Sequence, residues 1–402
     1  MAAFFNILGI VVVLKSKGTI FKGVYMQIAA YYFPNYHADK RNEEYHGTGW
    51  TEWELMKCAG VRFSGHRLPR QPLWGYEDEA DPAVMAKKID AAADAGIDAF
   101  VFDWYWYDGP YLERALDEGF LKAKNRDRMK FALMFANHDW MDRHPVGYSK
   151  AAKSDLLYGW NNTLENIGDV WDIIVGKYLT SPLYWYVENV PYFSIYQVNR
   201  FIIQMGGMEG AAQALEMLRS KVKAAGLPGV HINAVWYDNL DNHPQYVCST
   251  PDWSNKIGFD SYTSYNCVFA TDVWMNSFPV VDYAVAGDEY CRMAEKAMKT
   301  LPKPYYPVIT AGWDTTPRTI QSDVFRLGAY PYLPVMESTP QEFARQLENT
   351  ANLLAKRPEA EQLIFINAWN EWTEGSFLEP DTVVKYQFLD AIKKFRNNKE
   401  EA

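Results

Sequence analysis

DPAVMAKKIDAAADAGIDAFVFDWYW, Asp81 to Trp106, is the stretch on which the fold turns, because it reads as one helix running straight into one strand. An aspartate before a proline is a helix start: the carboxylate caps free N–H groups, and proline at the first helical position gives up no hydrogen bond. Apolar residues then recur at helical spacing to Ala95, and Gly96 supplies the left-handed residue that ends a helix. The run after it is apolar on both faces, the mark of a strand buried in a parallel sheet.

The same alternation continues in both directions. Before this unit, QIAAYYFP (27–34) reads as a first strand, followed by a loop rich in Gly, Trp and charge that runs to Glu79. After it come a helix near 112–124, a third strand at 130–137, a helix at 163–179 and a fourth strand at 192–198. A helix at 209–225, a fifth strand at 231–237, a weaker sixth at 258–262 and a helix at 289–301 follow. The seventh strand is expected at 306–311, its helix at 340–356, the eighth strand at 363–368 and a closing helix at 386–395. Eight strands interleaved with helices predict an α/β fold, a (β/α)₈ TIM barrel with long βα loops. The competing arrangement, an open doubly wound sheet, would bring a glycine-rich phosphate loop after its first strand, and G-x-G-x-x-G is absent. Without an internal repeat or low-complexity linker, one catalytic barrel is expected over 26–402, after a leader or disordered extension over 1–25.

Composition excludes several classes. A net charge of −10 repels phosphate backbones on average, and no basic stripe reverses it locally, so nucleic acid is not an expected partner. Cys58, Cys248, Cys267 and Cys291 are scattered and read as free thiols, and the His residues form no metal-binding cluster, so neither metal nor other cofactor is expected. The apolar run from Phe4 to Leu14 is too short to span a bilayer. The protein would be cytoplasmic if it starts at Met26, and periplasmic or secreted if that run is a signal peptide. Oligomeric state leaves no mark in the sequence.

Barrel active sites lie past the C-terminal ends of the strands. The first strand is followed there by Tyr32, Asn35 and His37, with Trp50 and Glu52 in the loop beyond. The second offers Asp103, Trp104 and Tyr105; the third Asn137, His138, Asp139 and Trp140; the fourth Tyr196 and Gln197; the fifth Trp236, Tyr237 and Asp238. The seventh gives Trp313 and Asp314, and the eighth Asn370, Glu371, Trp372 and Glu374. A ring of carboxylates, amides and aromatic side chains suits a sugar, whose hydroxyls need donors and acceptors and whose C–H faces stack on rings. Each residue taken singly has a plain structural role open to it, as a cap, a plug or a packing group. An oligosaccharide or polysaccharide is the expected partner.

The last motif, INAWNEWTEGSFLEPD (366–381), carries the chemistry. Glu371 and Glu374 follow a strand end and are flanked by Trp369 and Trp372. Cleaving a glycosidic bond needs one carboxylic acid to protonate the leaving oxygen while a second group assists from the sugar side. Apolar walls and a like-charged neighbour raise a carboxyl pKa, so one of the pair can hold a proton near neutrality; spacing does not say which.

The segments AYYFPNYH, GTGWTEWELMK, FSGHRLPRQPLWGYEDEADPAVM, AGIDAFVFDWYW, GWDTTPR and NAWNEWTEGSFLEPD together resemble the WbsX-like proteins, also described as glycoside hydrolase family 99-like. The likeness runs from Ala29 to Asp381. It implies a retaining hydrolase related to endo-α-mannosidases, in which two glutamates at this spacing act through the sugar's own 2-hydroxyl. By that implication Glu371 deprotonates the 2-hydroxyl, giving a 1,2-anhydro sugar, and Glu374 is the general acid and then base. ANHDW (136–140) departs from the ANENW that many such chains carry, so mannose specificity is not carried over. The expected activity is hydrolysis of glycosidic bonds in a polysaccharide or complex glycan. The alternatives are a glycosyltransferase of polysaccharide biosynthesis, against which stands the absence of a phosphate-cradling loop or D-x-D motif, and a non-catalytic carbohydrate-binding barrel.

Overall fold

The computed structural model describes residues 6–7, 10–11, 25–67, 70–236, 253–268, 276–357 and 360–401. Tyr237, Asp238, Cys248 and most of the 1–25 extension lie outside them; within the extension, Asn6–Ile7 and Ile10–Val11 pair antiparallel. Eight parallel strands form the barrel: β1 Gln27–Tyr32, β2 Ala99–Trp106, β3 Lys130–Phe135, β4 Val190–Ile195, β5 His231–Val235, β6 Ser261–Thr263, β7 in two pieces, and β8 Leu363–Asn367. The two pieces of β7 close the ring. Tyr305–Tyr306 pairs with β6, and Val308–Thr310 pairs with β8, which in turn pairs with β1. Between them Pro307 has no N–H for a ladder, yet its carbonyl still accepts from Phe365 N at 2.9 Å.

The unit that decided the fold forms as read. Helix α1, Pro82–Ala95, is capped by Asp81, whose carboxylate accepts from Ala83 N, an arrangement that stabilises a helix by about 1 kcal/mol. It ends at Gly96 in the left-handed conformation, and its buried face, including Met85, Ile89 and Ala92, packs inward. Truncating a buried residue such as Ile89 to alanine costs about 2–5 kcal/mol. The other long helices are α2 Met208–Ala224, α3 Tyr283–Thr300, α4 Pro340–Leu354 and α5 Gln387–Glu401. No helix among the described residues is long and apolar enough to cross a membrane.

The helix expected over 163–179 forms as Ile167–Ile173 and then the π-helical Ile174–Leu179, and three other elements differ from expectation for a local reason. The segment after β2 winds as a π-turn, Ala115–Gly119, and then a 3₁₀ turn, Phe120–Lys122, where Gly119 lies so close to the Glu79 carbonyl that a Cβ would stand 2.1 Å from it. The fourth strand stops at Ile195 because the Asn137 amide clamps Gln197, accepting from its N–H at 2.7 Å and donating to its carbonyl at 2.8 Å; helix Val198–Gln204 follows. Helix α3 starts well before residue 289, since Asp282 accepts from Ala284 N at 2.8 Å and Val285 N at 3.0 Å.

Candidate active site

Side chains of a strand alternate between faces, and this alternation sorts the strand-end residues. On β2, Asp103 and Tyr105 line a cavity of about 810 Å³ at the C-terminal mouth of the barrel. Phe102 and Trp104 point the other way, Phe102 onto Phe120 at 5.7 Å and Trp104 onto Tyr178 at 6.3 Å. The volume is in the upper part of the roughly 300–1,000 Å³ range of ligand clefts, as an extended ligand requires. Glu371 and Glu374 also line it and are 4% and 8% exposed.

The glutamate loop is held by backbone packing against the loop after β7. Glu374 O accepts from Asp314 N at 2.5 Å, and Gly375 follows at φ 65° with a would-be Cβ 2.6 Å from that same nitrogen. Only glycine fits both the conformation and the space. The Asp314 loop then delivers Arg318 from the 3₁₀ turn Thr316–Arg318 into the middle of the carboxylates.

Arg318 is the hub. Its Nη1 donates to Glu374 Oε1 at 2.5 Å, its Nη2 to Glu52 Oε1 at 2.8 Å and to Glu371 Oε2 at 3.3 Å, and its Nε to Thr373 Oγ1 at 2.9 Å. Tyr330 OH donates to Glu374 Oε1 at 2.7 Å and Asn35 Nδ2 to Glu52 Oε2 at 2.6 Å. Tyr265 OH stands 3.0 Å from Asp103 Oδ2 and 3.4 Å from Glu371 Oε1. Three carboxylates thus meet one guanidinium in a buried site, with Asp103 joined to them through Tyr265, and full ionisation of all four is unfavourable.

Burial, then the neighbouring Glu374, push the Glu371 carboxyl well above the usual range, with Arg318 offsetting only part. Burial raises Glu374 too, but against the close pull of Arg318 and the Tyr330 hydrogen bond. Burial also lifts Asp103 well up, beyond what the Tyr265 hydrogen bond offsets. At Glu52 burial pushes up as well, yet Arg318 and the Thr373 hydroxyl outweigh it and hold the group ionised. Tyr265 has one proton to give. It cannot donate to Asp103 and Glu371 at once, and the closer hold of Arg318 and Tyr330 on Glu374 favours the pair's proton on Glu371.

Of the residues expected at the site, Asn35, Asp103, Tyr105, His138, Asp139, Trp140, Tyr196, Gln197, Trp313, Glu371 and Glu374 come together around the cavity. Glu52 sits one layer behind, bonded to Arg318. The others lie elsewhere among the described residues. Tyr32 and Asn370 turn towards α1, where Glu79 accepts from the Tyr32 hydroxyl at 2.9 Å and from Asn370 Nδ2 at 2.7 Å. Trp104 faces outward and donates to Glu113, and Asn137 is the clamp on Gln197. Trp236 packs on Tyr262, Trp50 stacks on His46 at 4.2 Å, and Asp314 meets His66 Nε2 at 2.9 Å beside a recess of about 30 Å³. Trp372 stacks on Phe377 at 3.7 Å and Trp369 packs tilted against Phe100 at 5.0 Å, and neither lines the cavity. The cavity's aromatic wall is instead mainly tyrosine: Tyr105, Tyr107, Tyr111, Tyr196, Tyr265 and Tyr330, with Trp140 and Trp313.

Sequence reading missed Arg318, Thr373, Tyr265, Tyr330, Arg143, His144 and Arg200. One signal was available: three glutamates gathered at one site call for a cation, and GWDTTPR carries one. Tyr265 and Tyr330 lie in irregular loops where no periodicity marks them. No three His, Cys, Asp or Glu side chains among the described residues are grouped so as to hold a metal ion.

The model of the family described as "Glycosyltransferase WbsX" matches residues 28–392. Two relatives from Xanthomonas campestris pv. campestris, strains B100 and ATCC 33913, each called "Uncharacterized protein WxcX", are 27% identical over 374 residues. The match takes in 91% of this chain and 49% of theirs, so the chain spans about half the length of these relatives. Among solved structures, the GH99 endo-alpha-mannosidase from Bacteroides thetaiotaomicron in complex with Bis-Tris-propane superposes with a TM-score of 0.56 at 12% identity, over 93% of this chain and 97% of that one. A "Glycoside hydrolase-like protein" gives 0.58 at 13% identity, over 95% and 97%. At such identities the likeness speaks for the fold.

Proposed function

We propose, from the premise that this chain belongs to the WbsX family, that it is a glycoside hydrolase cleaving bonds in a polysaccharide or complex glycan. The carrying observation is the pair of buried carboxylates, Glu371 and Glu374, that share one guanidinium at the edge of a tyrosine-lined cavity. A site with one protonated and one ionised carboxyl has what acid and base assistance at a glycosidic oxygen require. Retention through the 2-hydroxyl fits as the finer mechanism. Glu371 takes the 2-hydroxyl proton as that oxygen attacks the anomeric carbon and Glu374 gives a proton to the departing oxygen; Glu374 then draws a proton from the water that opens the 1,2-anhydro ring while Glu371 returns its proton to the 2-oxygen.

Those roles require the proton on Glu374 at the moment of cleavage, whereas the unliganded site favours Glu371. Glycan binding therefore has to move it. Tyr330 and Arg318, which hold Glu374 as the carboxylate, are the groups whose contacts must loosen when the leaving oxygen arrives.

The family's description gives the rival reading, transfer from an activated sugar donor. Incubation with a panel of nucleotide sugars and, separately, with glycans separates the two. Release of free reducing sugar from glycans alone supports hydrolysis, and transfer from a nucleotide sugar without hydrolysis would replace it. A covalent sugar ester on Glu371 in a trapped complex would overturn the 2-hydroxyl route.

A further inference from the structure

One wall of the cavity is basic although the chain carries a net charge of −10. Arg143 follows the short strand Trp140–Met141, and Arg200 comes from helix Val198–Gln204. Arg200 is engaged: its Nη2 lies 2.5 Å from Asp139 Oδ1, which also accepts from Trp160 N at 2.8 Å, so this pair is neutral overall. Arg143 is different. Its Nε donates to Ser154 Oγ at 3.1 Å, its guanidinium carbon stands 5.7 Å from the centre of the Tyr330 ring, and among the described residues it has no carboxylate partner.

The groups facing it do not balance that charge. His138 and His144 line the same wall, and burial holds both imidazoles low, His144 at about 3, so neither is charged near neutrality. A guanidinium has paired N–H groups in a plane that match two oxygens of a carboxylate, phosphate or sulfate. A neutral sugar placed over it would strip water from the cation and return no charge.

Tyr330 fixes where the cation lies relative to the chemistry. The hydroxyl of that ring donates to Glu374 at 2.7 Å, and its body carries Arg143. Arg143 is therefore set off from the acid by the length of one tyrosine, which is the scale of a neighbouring sugar ring and not of the bond being cut.

We propose that Arg143 forms a subsite for an anionic substituent on the glycan, a uronic-acid carboxylate or a phosphate or sulfate ester, on a sugar adjoining the cleaved bond. The proposal rests on the reading of this cavity as a glycan site, but not on turnover.

The test is calorimetric titration of the whole chain with matched probes: methyl glucuronide against methyl glucoside, galacturonate oligosaccharides against galacto-oligosaccharides, and glucose 6-phosphate and glucose 6-sulfate against glucose. An acidic probe should bind about tenfold or more tighter than its neutral counterpart, the size of a charge-assisted hydrogen-bonded contact. The preference should weaken with salt, vanish in Arg143→Met and partly return in Arg143→Lys. Whichever acidic arm gains most identifies carboxylate or ester. Equal binding of acidic and neutral probes, no binding of any acidic probe, or a preference unchanged in Arg143→Met would overturn the proposal. Anion selectivity without hydrolysis would remove the hydrolase reading and leave this one, while hydrolysis of neutral glycans without selectivity would do the reverse.

Discussion

The C-terminal end of this barrel holds two buried charge clusters, one around Lys88 and one around Arg318, and only the second opens on a cavity. Lys88 of α1 stands 2.7 Å from Glu79 Oε1 and 2.7 Å from Glu379 Oε1, the latter as an ion-pair contact outside hydrogen-bond geometry. Neutral donors join that cluster: Tyr32 and Asn370 give to Glu79, and Trp372 Nε1 gives to Glu379 at 2.8 Å. Around Arg318, three glutamates converge on one cation, with Asp103 joined through Tyr265, and Asp103, Glu371 and Glu374 line open space. Buried charge alone therefore does not mark a site. What marks it is acceptor capacity that faces a cavity, whereas the Lys88 cluster, with Glu79 Oε2 and Glu379 Oε1 buried and without a hydrogen-bond partner, lines none and ties α1, β1 and the loop after β8 together.

Replacing a member of each cluster breaks the comparison most sharply. Glu371→Gln and Glu374→Gln should each lower kcat on a glycan substrate by about 10²–10⁴-fold, the range of general acid–base assistance, with the melting temperature nearly unchanged. If either variant kept full turnover, the Arg318 cluster would be as structural as its neighbour. Lys88→Met should do the opposite. It strands two buried carboxylates, so denaturant unfolding should show a loss of about 3–5 kcal/mol, while turnover per folded molecule stays within a few-fold.

Subtler changes sharpen the contrast. Tyr330→Phe removes a donor that favours ionised Glu374, so that carboxyl should titrate higher and, as the lower-titrating member of the free pair, should carry the acidic limb of the kcat/KM profile to higher pH. A limb that stays put, or moves down, would separate Tyr330 from the acid. Asp103 gives the smallest effect. Its folded carboxyl is raised, so its contribution to stability is fully present below the unfolded pKa and lost as pH rises through the folded one. Asp103→Asn should abolish that loss, giving a variant about 1 kcal/mol more stable than wild type at alkaline pH and no more stable in acid, read as melting temperature against pH.

Most of the frame was legible because strands and helices announce themselves by period, cap and breaker. Asp81, Pro82 and Gly96 bounded α1 to the residue. What sequence could not convey was the side on which a strand-end residue emerges, since that depends on register and on where the chain turns after the strand. Tyr32 and Trp104 sit beside residues that reach the cavity, Phe33 and Asp103, yet one residue's shift sends them to the helix layer. Trp369 and Trp372 were expected to wall the glutamates, yet neither lines the cavity, and tyrosines from six different positions supply that surface. Arg318 was hidden for another reason. A single arginine in a loop looks like surface until the carboxylates that need it are placed around it.

The central claim is that the Glu371 and Glu374 pair hydrolyses a glycan bound in the tyrosine-lined cavity. Digestion of a polysaccharide panel in ¹⁸O-water, with mass spectrometry of the products, tests it most directly. One ¹⁸O at each new reducing end from the wild-type chain, and no new ends from Glu374→Gln, is the predicted result. New ends produced equally by Glu374→Gln, or no cleavage of any glycan alongside transfer from a nucleotide sugar, would contradict it.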